Sequence, residues 1–177
     1  GTRREVDWAF VEGPKIFRAE LYAAFRDWLP HDERHDPIAG YLRRLLGDDA
    51  PARRDAAVIW NAYERVLSEL APANAELPTT IASDARVPPT PIVEAHYIAN
   101  DFFLDAGQLL ANAESLTGIK GAIIQGRYDL LCPPSNAAAL HHAWPGSRLT
   151  IIDKAGHAMS EPGIEATMRA AIAELND

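Results

Sequence analysis

The chain has 177 residues, enough for one domain, or for one domain and part of a second. Apolar residues make up 47% and charged residues 24%, an ordinary balance for a globular protein, and no run approaches the roughly 18 or more apolar residues of a membrane span. A net charge of −8 argues against a nucleic-acid partner, and the single cysteine, Cys132, rules out an internal disulfide framework and fits a reducing compartment. No apolar stretch follows Gly1 to Glu5, so no signal peptide is visible, and a cytoplasmic, membrane-free protein is expected.

Residues 1–117 read as helices. Phe17, Leu21, Phe25 and Trp28 recur at helical spacing between Ile16 and Leu29. Ile38, Tyr41, Leu42, Leu45 and Leu46 do the same after Pro37, until Gly47 stops the run. Ala56, Trp60, Tyr63, Leu67 and Leu70 form one face of a long helix between Pro51 and Leu70. Residues 73–90, rich in Pro, Thr, Asn and Asp, read as loop. Another helix is expected from Pro89 or Thr90 through Glu94 and Tyr97 toward Phe102, and a further one over Ala106–Glu114.

From residue 118 the pattern changes. Ile119 to Gln125 is a short apolar run ending at Gly126, and reads as a buried strand. Ser135 to Ala143 reads as a helix capped by Ser135 or Asn136, Leu149 to Ile152 as a second strand, and Pro162 to Leu175 as a terminal helix. Strand, helix, strand, helix is the α/β alternation with parallel strands. Two strands do not make an independent parallel sheet covered on both faces, so the rest of the sheet is expected from elsewhere.

Charge divides the same way. Residues 1–117 carry 12 basic and 19 acidic side chains, residues 118–177 only 5 and 6. The acidic first part would favour a cationic ligand, or is simply a solvated helical surface.

Two constellations can carry chemistry. Gly126-Arg127-Tyr128-Asp129 follows the first strand, and Ala155-Gly156-His157 follows the second. Functional groups gather at the carboxyl ends of parallel strands, which places Asp129 and His157 on one sheet edge. A carboxylate there orients the imidazole, and the imidazole serves as general base and acid. Taken singly, each residue is equally well a turn or loop residue.

The stretch GRYDLLCPPSNAAALHHAWPGSRLTIIDKAGHA, residues 126–158, is similar to the C-terminal signature of the proline iminopeptidases, serine enzymes of the α/β-hydrolase class. IAGYLRRLLGDD (38–49), WNAYE (60–64) and VEAHY (93–97) resemble parts of the same family's helical cap. The resemblance implies a C-terminal portion of an α/β-hydrolase parallel sheet, residues 113–177, preceded by a mostly helical cap (lid), residues 1–112. It implies Asp129 as triad acid and His157 as triad base, with the acid-then-histidine order of that class. It also implies that Glu64 and Glu94 bind the free amine of a short peptide, where two carboxylates would form charge-assisted bonds to an ammonium. Without the resemblance both read as surface helix glutamates. Cys132 falls where the family often carries a cysteine, and on its own reads as a small buried apolar residue.

The cap departs from the family pattern after Trp8 (Ala9 to Gly13), after Glu64 (Arg65, Val66, Leu67) and at Ile98, positions that bear on which residue is released. No Gly-x-Ser-x-Gly elbow or His-Gly-Gly oxyanion motif occurs, and Ser68, Ser83, Ser115, Ser135, Ser147 and Ser160 lack elbow context. The nucleophile is therefore expected on an N-terminal segment missing from this sequence, and the chain alone is expected to be inactive. No cofactor is implied. No metal is expected either: His141 and His142 are adjacent, His31 and His35 sit in an expected loop, and no Cys–His ligand spacing occurs. Two other readings stay open: a capped hydrolase for another ester, amide or epoxide, and a non-catalytic helical interaction module.

Overall fold

Helices dominate the first two-thirds of the computed structural model, which describes residues 2–175. The chain separates into two units: residues 1–66 with 73–104, and residues 67–72 with 105–177, of which 1, 176 and 177 lie outside the described residues.

The first unit opens with α1 (Arg3–Asp7), started by a reciprocal capping box between Thr2 and Glu5. A π-helical turn over Trp8–Glu12 leads into α2 (Gly13–Phe17). The single helix expected from Ile16 is broken at Arg18, whose φ of −143° and ψ of 54° are non-helical, and α3 runs only over Ala19–Asp27. Phe17 therefore falls outside the apolar stripe and is 62% exposed. The helix α4 (Pro37–Leu45) starts where its proline predicts, with Asp36 accepting from the Ala39 N–H as its cap. The long helix α5 covers Ala50–Ser68, and α6 covers Thr90–Ala99. Leu70, the last member of the predicted α5 stripe, lies past the helix end and is exposed.

The core of this unit is aromatic. Phe25, Tyr41, Trp60 and Tyr63 are fully buried, and Phe10 nearly so. The Phe25 ring stacks on Tyr41 at 4.1 Å and on Tyr63 at 4.0 Å, while Phe10 lies 4.1 Å from Trp60. Such pairs add about 0.5–1.5 kcal/mol each beyond the area they bury. The polar ends of the rings are accounted for. The Tyr41 hydroxyl donates to the Phe25 carbonyl at 2.8 Å and the Tyr63 hydroxyl to the Phe10 carbonyl at 3.1 Å. Burial raises the pKa of both phenols, so they stay neutral donors.

The helix expected to run on to Phe102 stops at Ala99. Asp101, Phe102 and Phe103 follow with φ of 48°, 58° and 56°, a left-handed turn of three consecutive non-glycine residues. Each such residue costs about 1–2 kcal/mol, and L-residues visit this region singly as a rule.

The second unit contains α7 (Gln108–Ala111) and a 3-10 turn (Ala113–Leu116) where one helix was predicted over 106–114. Then come β1 (Gly121–Gly126), α8 (Pro134–Ala143), β2 (Ser147–Ile152) and α9 (Ile164–Leu175). The α8 N-cap is Pro133 rather than Ser135 or Asn136; Pro134 at the first helical position pre-sets its backbone angle and starts the helix one residue before Ser135. The strands pair in parallel, Gly121 opposite Ser147 through Gly126 opposite Ile152. The helix α8 packs on both strands and α9 on β1.

Phe25 touches rings from three other helical segments, so Phe25→Ala should lower the unfolding free energy by about 3–5 kcal/mol in denaturant titration. Phe17→Ala, at an exposed site with the same side chain, should change it by no more than about 0.5 kcal/mol.

Candidate active site

Parallel register brings the carboxyl ends of β1 and β2 to one edge, and two glycines let the following loops meet. A Cβ on Gly126 would lie 1.9 Å from the Gly156 carbonyl oxygen, and one on Gly156 would lie 2.9 Å from the Ser68 carbonyl. Neither position has room for a side chain. The backbones are then tied together: the Arg127 N–H donates to the Ile152 carbonyl and the Tyr128 N–H to the Ala155 carbonyl, each at 3.0 Å. An exposed ion pair between Arg127 and Asp153 spans the same two loops at 2.8 Å.

On this frame Asp129 and His157 meet. Asp129 Oδ2 accepts from His157 Nδ1 at 3.0 Å. The same oxygen accepts from the Gln125 side-chain amide at 3.1 Å, and Oδ1 accepts the Leu131 and Cys132 N–H groups at 3.0 and 2.8 Å. Asp129 is buried, with four donors aimed at two oxygens. Gln125, also buried, donates besides to the Cys132 carbonyl at 3.0 Å, which fixes its amide orientation.

The His157 side chain is 43% exposed. Its backbone is fixed from an unexpected quarter. The Ser68 carbonyl, at the end of α5, accepts both the His157 and the Ala158 N–H groups at 2.8 Å. The buried Glu161 carboxylate takes the Leu70 N–H close by, so the segment after α5 is held against the histidine loop at two points. The bond to Asp129, with help from Cys132, raises the His157 pKa to about 10, against the opposing effect of burial. With Nδ1–H held by the carboxylate, the proton that titrates is on Nε2, the nitrogen turned away from Asp129.

Glu64 and Glu94 lie in the first unit, both half-buried. Glu94 Oε2 accepts from the Trp60 indole N–H at 3.0 Å, joining α6 to α5. Glu64 follows Trp60 by one turn on α5, on the same helix face. Cys132 is exposed rather than buried. Among the described residues no group of three His, Cys, Asp or Glu side chains could hold a metal ion, and no helix is long and apolar enough to cross a membrane.

Sequence reasoning missed Gln125, Ser68 and Glu161. Gln125 is the penultimate residue of β1, where a side chain returning to the sheet edge carries no local signature. The Ser68 contribution is a main-chain oxygen, which any residue supplies.

Comparison with known proteins decides the relationship. The chain is 36% identical over 163 residues to a probable proline iminopeptidase of Leptolyngbya boryana, covering 92% of this chain and 50% of that protein. It is 35% identical to a proline iminopeptidase of Arabidopsis thaliana (94% of this chain, 44% of that protein) and 36% identical to one of Xylella fastidiosa strain Temecula1 (90% and 51%). This chain is homologous to the proline iminopeptidases. It spans about half the length of the curated relatives it matches. No protein-family model matches it.

Because Asp129 holds the His157 proton, Asp129→Asn should return the His157 titration, followed by NMR, from about 10 toward the ordinary imidazole value. The sign for stability follows from a folded pKa above the unfolded one. The stability contributed by the pair is complete below about pH 6.5 and is lost as pH rises through about 10. The stability gap between the parent and Asp129→Asn should therefore narrow over that window in denaturant unfolding.

Proposed function

We propose that this chain is part of a serine aminopeptidase that releases the first residue, proline among the candidates, from short peptides with a free N-terminus. The observation that carries the reading is the Asp129–His157 bond, formed on adjacent loops at the carboxyl ends of parallel strands. The names of the relatives supply the peptide substrate.

In this reading residues 113–177 are part of an α/β-hydrolase core and residues 1–112 a helical cap. The two strands are largely apolar and mostly half-buried, as expected of members of a wider sheet. The serine nucleophile lies outside these 177 residues, since no Gly-x-Ser-x-Gly occurs among them. His157, once its Nε2 is deprotonated, takes the serine proton as the hydroxyl attacks the carbonyl of the first residue. The resulting imidazolium is stabilised by Asp129 and returns the proton to the leaving amine as the acyl-enzyme forms. Water then releases the first residue by the same steps in reverse roles. Glu64 and Glu94 bind the α-ammonium, which limits cleavage to the first peptide bond. Trp60 orients one of them through its bond to Glu94.

In the complete enzyme His157→Ala should lower kcat on a prolyl amide by about three orders of magnitude or more. Activity retained within tenfold would sink the triad. Glu64→Gln and Glu94→Gln should each lower kcat/KM on free-amine substrates by about 10–100-fold, the value of a bond to a charged group. They should leave an acetylated ester of the same residue unaffected. Equal effects on both substrates would favour a hydrolase that does not read the amine.

A further inference from the structure

The left-handed turn over Asp101–Phe103 is the most strained backbone among the described residues, and what it accomplishes is the placement of one ring. Phe103 emerges from it 60% exposed, with its centroid 5.6 Å from Tyr97 and 5.5 Å from His96. Tyr97 meets the Phe103 ring edge-on at 87° and is itself 46% exposed. Apolar burial among the described residues does not offset this strain, since Phe103 stays largely exposed there. Strain of this kind persists where the surroundings fix it, and it gathers at ligand clamps. The turn is held by the Phe103 N–H to the Asn100 carbonyl at 2.9 Å, while Asn100 is anchored by its side chain to the His96 carbonyl at 2.8 Å.

The position of this wall relative to Glu94 gives its occupant. Tyr97 follows Glu94 by three residues on α6, which sets their Cβ atoms about 5–6 Å apart on neighbouring parts of one face. Glu94 is the half-buried end of that line, against Trp60, and the Tyr97–Phe103 pair the open end. A peptide anchored by its ammonium at Glu94 advances ~3.5 Å per residue, so its second side chain reaches the wall while the rest of the chain leaves toward solvent. An open pair of rings suits a residue whose chain continues outward, and rings prefer apolar or aromatic partners in edge or offset contact.

We propose that Tyr97 and Phe103 are specificity-determining residues that bind the side chain of the substrate's second residue and favour a large apolar or aromatic one there. This rests on the amine-binding reading of Glu94 above.

The test compares, in the complete enzyme, dipeptides that share the first residue and carry either Phe or Gly second. The parent should prefer the Phe peptide in kcat/KM. Tyr97→Ala and Phe103→Ala should each lower kcat/KM on it by about two- to tenfold, mainly through KM, and leave the Gly peptide within twofold. Tyr97→Phe, which keeps the ring, should keep the preference. Equal loss on both peptides by folded variants, or no loss on either, overturns the inference. Where an alanine variant melts early, Phe103→Leu reads the same ratio, and an unchanged ratio counts against the inference. A parent that cleaves both peptides equally well refutes the wall alone. A parent that releases no first residue from any free-amine peptide refutes the amine-binding reading and this inference with it.

Discussion

The second unit depends on a close approach of backbone to backbone. Gly126 and Gly156 sit so near each other that no side chain fits between them, and this contact sets the distance from which Asp129 and His157 reach one another. A buried carboxylate is costly unless every lone pair is met. Here the cost is offset by two main-chain N–H groups of its own loop, the Gln125 amide and the imidazole. Three of those four donors come from residues 125–132, so the carboxylate is set before the histidine arrives. The imidazole is then positioned from both ends, by the carboxylate at its ring and by the Ser68 carbonyl at its main chain. A loop histidine acquires in this way the definition usually found on a strand or helix.

The first unit solves a different problem. Apart from α5, its helices are short or interrupted, at Arg18 and across the π-turn at Trp8–Glu12, and gain little from helix propagation alone. Stacked rings take over that function, with Phe25 between Tyr41 and Tyr63. Both tyrosine hydroxyls reach main-chain carbonyls, Tyr41 that of Phe25 on α3 and Tyr63 that of Phe10 in the π-turn, so the ring stack also fixes the register of the segments it joins. Trp60 belongs to this stack by its ring and to Glu94 by its N–H. A carboxylate placed at the rim of an aromatic core thus takes its orientation from the core.

What the sequence made legible followed from local rules. Pro37 gives a helix start, and the 56-60-63-67-70 stripe gives the long α5, although the helix ends at Ser68, before Leu70. The parallel βαβ alternation put Asp129 and His157 on one edge, and they are found bonded there. What escaped it depends on tertiary partners or on single dihedral angles. The Arg18 break carries no proline or glycine to announce it. Nothing in Asp101-Phe102-Phe103 suggests left-handed backbone, since none of the three is the glycine that such angles normally require. Ser68 meets His157 across 89 residues through an oxygen with no side-chain identity, so no motif could have named it. The relationship itself was readable from residues 126–158 because a strand end, an acid, a helix and a Gly-His loop must keep fixed spacing to make one bond.

That bond has two consequences that pull against each other. The carboxylate gives the ring its tautomer and orientation, which a general base needs, but it also stabilises the imidazolium and holds the proton to high pH. General-base function therefore depends on what lowers the imidazolium's hold on that proton. The exposure of the ring bears on this balance. With 43% of the side chain open to water, the imidazolium keeps part of its hydration. Any group that covers Nε2 removes that hydration and favours the neutral ring. A serine hydroxyl and a bound peptide would be such a cover in the reading proposed above.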